Sequence, residues 1–329
     1  MSQTGAVLVS DLTGFTKSTR EHGIRHMTAI ILRMRQILYP TLHKHHASFI
    51  TTEADNFIVL FPTIVEAVAA AIEMVAVVRA YNATAPPTFK IHLNGIGIDH
   101  GLVVVSEGRL YGKPFATAYH LGEDVCSNER ILVTARGLYA LPYAKYGGVA
   151  RSERGVEYFD VRSEYRGDSP SLPPLTDGRY LGASLLPLLN PKHTLPLSRH
   201  VVLMFEVFNQ HGDGIREVVA SHGGTYVEEE LHLFPDARSA LRAAIALRAD
   251  ANISTKGFGI AAGELLIVKG TDVHWGDPVN TASKLGQDIA TYDDILVTDD
   301  IKTTVEERSF EALDVDCSHV HFSAWRLVA

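Results

Sequence analysis

The sequence predicts an α/β protein made of two tandem copies of one α+β unit with ferredoxin-like strand order, the second copy contracted. Two observations carry this: an internal repeat, and a succession of strand and helix periodicities. Residues 111–137 read YGKPFATAYHLGEDVCSNERILVTARG, and residues 275–301 read WGDPVNTASKLGQDIATYDDILVTDDI. They align without a gap. Gly112 matches Gly276, Pro114 matches Pro278, Thr117-Ala118 matches Thr281-Ala282, Leu121-Gly122 matches Leu285-Gly286, and Asp124 matches Asp288. A second pair keeps the same order: LFPTIVEAVAAAI from Leu60 and LFPDARSALRAAI from Leu233. Two ordered matches point to duplicated domains, not to a short-period solenoid.

The periodicities of the first copy give its elements. AVLVSD, ending at Asp11, is an apolar strand with β-branched residues. Residues 20–44 carry Ile24, Met27, Ile30, Ile31, Met34, Ile37 and Leu38 at helical spacing. FITTEADNFIVLF reads as two strands joined by a polar turn at Glu53-Ala54-Asp55-Asn56. A helix over 63–81 and the strand KIHLNGIGI follow. The order β-α-β-β-α-β is that of ferredoxin-like folds.

Between the copies, residues 164–198 hold Pro170, Pro173, Pro174, Pro187, Pro191 and Pro196 with little period. Proline fixes φ and removes a donor, so the stretch reads as a linker whose LGASLLPLL portion packs on a domain. The expected domains are 1–163 and 199–329. A length of 329 residues suits two ordinary domains.

Composition narrows the function classes. The net charge of −8, from 30 basic and 38 acidic residues, argues against a nucleic-acid binder or an anionic-membrane binder. Cys126 and Cys317 are too few for a disulfide framework or a cysteine metal cluster, and read as free thiols. The N-terminus lacks the basic and apolar regions of a secretory signal. Residues 64–80 are apolar but include Glu66, Glu73 and Arg79, which suits a buried-face helix better than a membrane span. The expected location is cytoplasmic.

The motifs VLVSDLTGFT and TTEADNFIVLF, with the repeated segments YGKPFATAYHLGEDV and WGDPVNTASKLGQDI, resemble the class III adenylyl and guanylyl cyclase catalytic domain, here in a tandem, pseudo-heterodimeric arrangement. The resemblance implies attack of a ribose 3′-hydroxyl on the α-phosphate of a purine nucleoside triphosphate, ATP or GTP. Two Mg²⁺ or Mn²⁺ ions are implied, with Asp11 and Asp55 as ligands. Mg²⁺ suits a few carboxylates plus phosphate oxygens. Leu12, Thr13, Gly14, Phe15 and Thr16 would cradle phosphates at a helix start. Family members pair head to tail and share sites. Asn280 stands at the ribose-orienting Asn position and Lys284 at the transition-state Arg position, facing the first domain's metals in an intramolecular pseudo-dimer.

The converse site reads as degenerate. Ala116 and His120 hold its Asn and Arg positions, and Glu206 aligns with Asp11 in a shortened segment. The hairpin TYVEEELHLF lacks room for a counterpart of Asp55. The base-reading positions fall near Glu228 and on Val273, with Asp272 adjacent; glutamate accepts the hydrogen bonds that guanine offers. In the first domain Thr51 and Arg109 take those places.

Each residue also has a plain reading. Asp11 suits a helix N-cap, Asp55 a turn, Lys284 a solvated helix face, and the Glu228–Glu230 run a solvated edge. Two functions therefore stand beside each other: a cyclase with one composite site, and a catalytically inactive cyclase fold. The inactive fold would serve as a nucleotide sensor or an interaction scaffold, on a cytoskeletal assembly for example.

Overall fold

The structure is a computed structural model. It describes the chain except residues 1, 107, 140, 142–147, 149, 162–164, 195–196, 209–211, 229, 292–293, 318–319 and 329, and except the side chains of 15–17, 20, 212–213, 315–317 and 320–322. The chain divides into two compact units, Met1–His193 and Thr194–Ala329.

The first unit runs β1 (Ser2–Leu12), α1 (Phe15–His22), α2 (Ile24–Lys44), β2 (Phe49–Glu53), β3 (Asn56–Phe61), α3 (Ile64–Asn82), β4 (Leu93–Ser106), β5 (Arg109–Tyr111), α4 (Lys113–His120), β6 (Arg130–Thr134), α5 (Ala135–Leu138), β7 (Ala150–Glu153) and β8 (Val156–Asp160). Its sheet has the order β2-β3-β1-β4-β6-β8-β7, with β5 paired to β4. The first four strands therefore lie in ferredoxin-like order. Val7, Val9, Ile58, Leu60 and Val103 pack with Phe115, Ala118 and Tyr119 of α4. Thr63 and Glu66 form a reciprocal capping box that starts α3.

The expected single helix over 20–44 is two helices, broken at Gly23 with φ 83°. Glycine takes that left-handed backbone without a Cβ clash, so apolar periodicity alone does not reveal the break. Residues of the proline-rich stretch belong to the first compact unit. Arg33 Nη1 donates to the Pro173 carbonyl at 2.8 Å, and Gln36 Nε2 to those of Pro174 at 3.0 Å and Asp177 at 2.6 Å. Tyr180 stacks on Tyr39 at 5.6 Å. Buried donors on α2 thus collect carbonyls that a proline-rich chain leaves without ladder partners.

The second unit runs β9 (Leu197–Met204), α6 (Gly212–Ser221), β10 (Thr225–Tyr226), β11 (Leu231–Phe234), α7 (Ala237–Ala249), β12 (Phe258–Ile267), β13 (His274–Trp275), α8 (Asp277–Ser283), β14 (Ile295–Thr298), α9 (Asp299–Thr304), β15 (Phe310–Cys317) and β16 (Val320–Leu327). Its sheet order, β10-β11-β9-β12-β14-β16-β15 with β13 on β12, repeats that of the first unit. Where the first unit has α1 and the 21-residue α2, the second has the 10-residue α6.

The two units share a glycine interlock. A Cβ on Gly97 would lie 2.2 Å from the Ala118 carbonyl, and one on Gly259 2.1 Å from that of Ala282. A Cβ on Gly122 would meet the Val9 carbonyl at 2.8 Å, and one on Gly286 that of Met204 at 2.3 Å. Val9 pairs with Gly97 and Met204 with Gly259. The helix after the β-hairpin therefore lies directly on the sheet, and a π-turn follows it in both units: Leu121–Val125 and Lys284–Ile289. Either Gly97→Ala or Gly259→Ala should cost at least ~1–3 kcal/mol by overpacking, read as a lower urea midpoint. An unchanged midpoint for either would show that the contact has slack.

Candidate active site

Asp11 sits where β1 leaves the sheet. It pairs with Gly95, and the register breaks between Asp11 and Leu12. Strand alternation puts its side chain on the face of Val7 and Val9, under α4. The carboxylate accepts the Leu12 N–H and a hydrogen bond from the Asn94 side chain. Burial first, then the charges of Glu123 and Asp55, push its pKa up to about 9. Asp11 and Asp55 are thus brought within electrostatic reach of each other, as the sequence motifs imply.

Asp55 lies in the two-residue turn between β2 and β3, where Glu53 pairs with Asn56. Ala54, before it, has φ 49°, a left-handed conformation that a residue with a Cβ rarely takes.

Glu123, which the motif reading did not single out, comes from the π-turn after α4. It accepts hydrogen bonds from Asn56 Nδ2 and from the Tyr119 hydroxyl. Its backbone carbonyl accepts from Asn94 Nδ2 at 3.3 Å. Burial and then Glu123 raise the Tyr119 hydroxyl well above its ordinary range. Asn56 is buried, and its Oδ1 has no hydrogen-bond partner. Asp11, Asp55 and Glu123 are half-buried around this unpaired amide oxygen, and oxygen donors of this kind are those a hard divalent cation prefers. Among the described residues no three acidic, histidine or cysteine side chains converge as a complete ligand set. Two carboxylates completed by phosphate oxygens remain compatible with that geometry.

The candidate phosphate loop is partly committed. The Leu12 N–H serves Asp11, and the Thr13 N–H donates to the His92 carbonyl at 2.8 Å. Thr13 Oγ1 donates to Asn94 Oδ1 at 3.4 Å. Gly14, with φ 83°, turns the chain into α1. Helix geometry leaves the first-turn N–H groups, at Phe15 and Thr16, without intrahelical acceptors. A cavity of about 330 Å³ lies alongside, lined in part by Leu12, Thr13, His22, Lys90 and His92.

In the second unit, Asn280 lies on α8 and Lys284 opens the π-turn. Asn280 Nδ2 is buried without a hydrogen-bond partner, whereas Lys284 is half-exposed. At the matching position of the first unit, His120 Nδ1 meets Asp124 at 2.7 Å. Glu228 closes its hairpin through hydrogen bonds with Leu231 at 3.2 and 3.3 Å. Strand register matches Val227, one residue earlier, with Thr51. Val273 is 0% exposed and Asp272 is exposed. Burial lowers the pKa of His274, while Glu228 and Asp272 hold it up. Glu228 and Asp272 therefore both act electrostatically on His274, which sequence reasoning missed.

Register also matches Glu206 with Asp11 and Lys256 with Asn94. Lys256 Nζ donates to the carbonyls of Gln287 and, at 3.4 Å, Asp288. Gln287, at the repeat position of Glu123, donates to Glu230 at 2.9 Å. An ammonium and an amide stand where the first unit has an amide and a carboxylate. That Glu/Gln difference is visible in the repeat and was the available signal for Glu123.

No protein-family profile and no curated sequence matches the chain. Similar solved structures include the guanylyl cyclase Cya2, at 22% identity and TM-score 0.44, over 53% of this chain and 98% of that one. A bacterial light-regulated adenylyl cyclase is similar at 14% identity and TM-score 0.45, over 51% of this chain and 55% of that one. The adenylyl cyclase CyaB from P. aeruginosa is similar at 18% identity and TM-score 0.41, over 50% of this chain and 98% of that one. These are proteins of the class that the sequence motifs resemble. Among the described residues, no helix is long and apolar enough to cross a membrane.

The raised pKa of Asp11 has a consequence for stability. Between its ordinary 3.8 and about 9, the folded cation-free protein holds a proton that the unfolded chain has lost. Stability attributable to this group therefore falls as pH rises through that window. Asp11→Asn should flatten the fall, so that it melts above the parent at alkaline pH and near it at acidic pH. Parallel melting curves across the whole range would contradict the buried, repelled state of Asp11.

Proposed function

We propose that the chain is a class III-type nucleotide cyclase that converts a purine nucleoside triphosphate to its 3′,5′-cyclic monophosphate and pyrophosphate. The observation that carries this reading is the half-buried carboxylate of Asp11, which Glu123 and Asp55 both repel and which a cation would let ionise. Mg²⁺ or Mn²⁺, held by Asp11 and Asp55, would neutralise phosphate charge and lower the pKa of the attacking hydroxyl.

The chain's own groups do the rest. The first-turn N–H groups after Gly14 meet the polyphosphate. Asn280 offers a buried amide donor to the ribose, and its lack of a partner favours that role. Lys284 brings an ammonium to the charge that develops on the α-phosphate. The 3′-hydroxyl loses its proton to solvent as its oxygen forms a bond to the α-phosphorus, the bond to the β-phosphate oxygen breaks, and pyrophosphate carries away the electron pair. Joint use of Asp11 and Asp55 with Asn280 and Lys284 is part of the proposal and derives from the motif pattern. Glu228, an acceptor beside His274 and Asp272, favours guanine over adenine.

A second reading, nucleotide sensing without turnover, draws on Lys284. An ammonium lacks the planar two-point donation that arginine gives a phosphate.

One assay separates the two. The protein is incubated with ATP, GTP, CTP or UTP, with Mn²⁺ and then with Mg²⁺, and cyclic monophosphates are detected by mass spectrometry. The expected product is from GTP, falling about 100-fold or more in Asp11→Ala and in Asn280→Ala. Nucleotide binding with no product from any triphosphate would favour the sensor.

A further inference from the structure

Helix α2 carries a buried guanidinium that the proposed chemistry does not use. Arg35 is 3% exposed, and its Nη2 donates to the Ala54 carbonyl at 2.9 Å. A buried arginine is costly unless its donors are matched to acceptors. Ala54 is the residue with φ 49° at the tip of the β2–β3 turn, and Asp55 is the next residue. Alanine is strained in that conformation, and the Arg35 hydrogen bond ties the turn that holds it.

The helix bearing the tie is itself held. One turn on from Arg35, Tyr39 meets Phe57 of β3 edge-on at 5.5 Å and stacks on Tyr180. Arg33 and Gln36 grip the carbonyls of the proline-rich segment. Both the helix and the strand after the turn are thereby fixed.

We propose that Arg35 is a positioning residue for Asp55: it holds the Ala54 carbonyl so that the following carboxylate faces the cation locus. The proposal rests on the metal reading of Asp55 given above. The second unit supports it independently. Its hairpin closes at Glu228–Leu231, with three fewer residues between Val227 and Leu231 than between Thr51 and Ile58, and its α6 is half the length of α2. The long helix and the longer hairpin occur together in the first unit.

The test uses the full chain with Arg35→Met and Arg35→Lys, and two readouts. Hydrogen–deuterium exchange of residues 53–56 is followed without divalent cation. Mn²⁺ affinity is measured directly by electron paramagnetic resonance, without nucleotide. Arg35→Met should exchange faster at the tip while β1 and β4 keep their protection, and should bind Mn²⁺ about 10- to 100-fold more weakly. Arg35→Lys should recover part of both. A folded Arg35→Met with parental Mn²⁺ affinity overturns the proposal, whether or not tip exchange changes. If Arg35→Met does not fold, parental exchange and affinity in Arg35→Lys would overturn it, and loss of both would support it. If the parent binds no Mn²⁺, the metal reading fails separately. Tip exchange then decides whether Arg35 orders the turn: accelerated exchange supports that role and parental exchange overturns it.

Discussion

The end of β1 concentrates negative charge in a place that water reaches poorly. Asp11 is largely shielded there, Glu123 and Asp55 repel it, and the Tyr119 hydroxyl donates to Glu123. Such a patch reaches neutrality by taking up a proton or by taking up a cation. Much of the first unit serves to assemble it. The register break after Asp11 releases β1, the hairpin brings Asp55, and the π-turn after α4 brings Glu123. Arg35 and Asn94 then set the backbone and carboxylate positions at its edges.

The second unit shows the same scaffold with that constraint removed. Gly259 and Gly286 repeat the interlock of Gly97 and Gly122, so helix, π-turn and sheet meet in the same way. Around it the chemistry differs. Lys256 places an ammonium against the π-turn carbonyls and Gln287 replaces Glu123. An internal cation in this position leaves little reason for an external one. The unit keeps instead a buried, unpaired amide at Asn280.

Much of this was legible in sequence because the informative segments are local. EADN between two apolar runs dictates a tight hairpin with Asp55 at its tip, and the gapless repeat gives the helix and π-turn twice. Other features depend on contacts that span the chain. The apolar period begins at Ile24, after Gly23, so it gives α2 but says nothing of the separate α1 before the break. Arg35 and Gln36 look like solvated helix residues until the partners at Ala54 and Pro174 are known. Asn94 and Glu123 acquire meaning only when β4 and the π-turn meet Asp11. Val273 sits at a motif-derived position yet packs inside the core, because strand register and side-chain direction are fixed by β12 and β13 together.

The central claim is that Asp11 stands ready to exchange a proton for a divalent cation. Calorimetric titration of Mn²⁺ at neutral pH, in buffers of different ionisation enthalpy, counts the protons that binding releases. The account predicts release of about one proton per chain, lost in Asp11→Asn. Mn²⁺ binding with no proton release, or with the same release in Asp11→Asn, would contradict it.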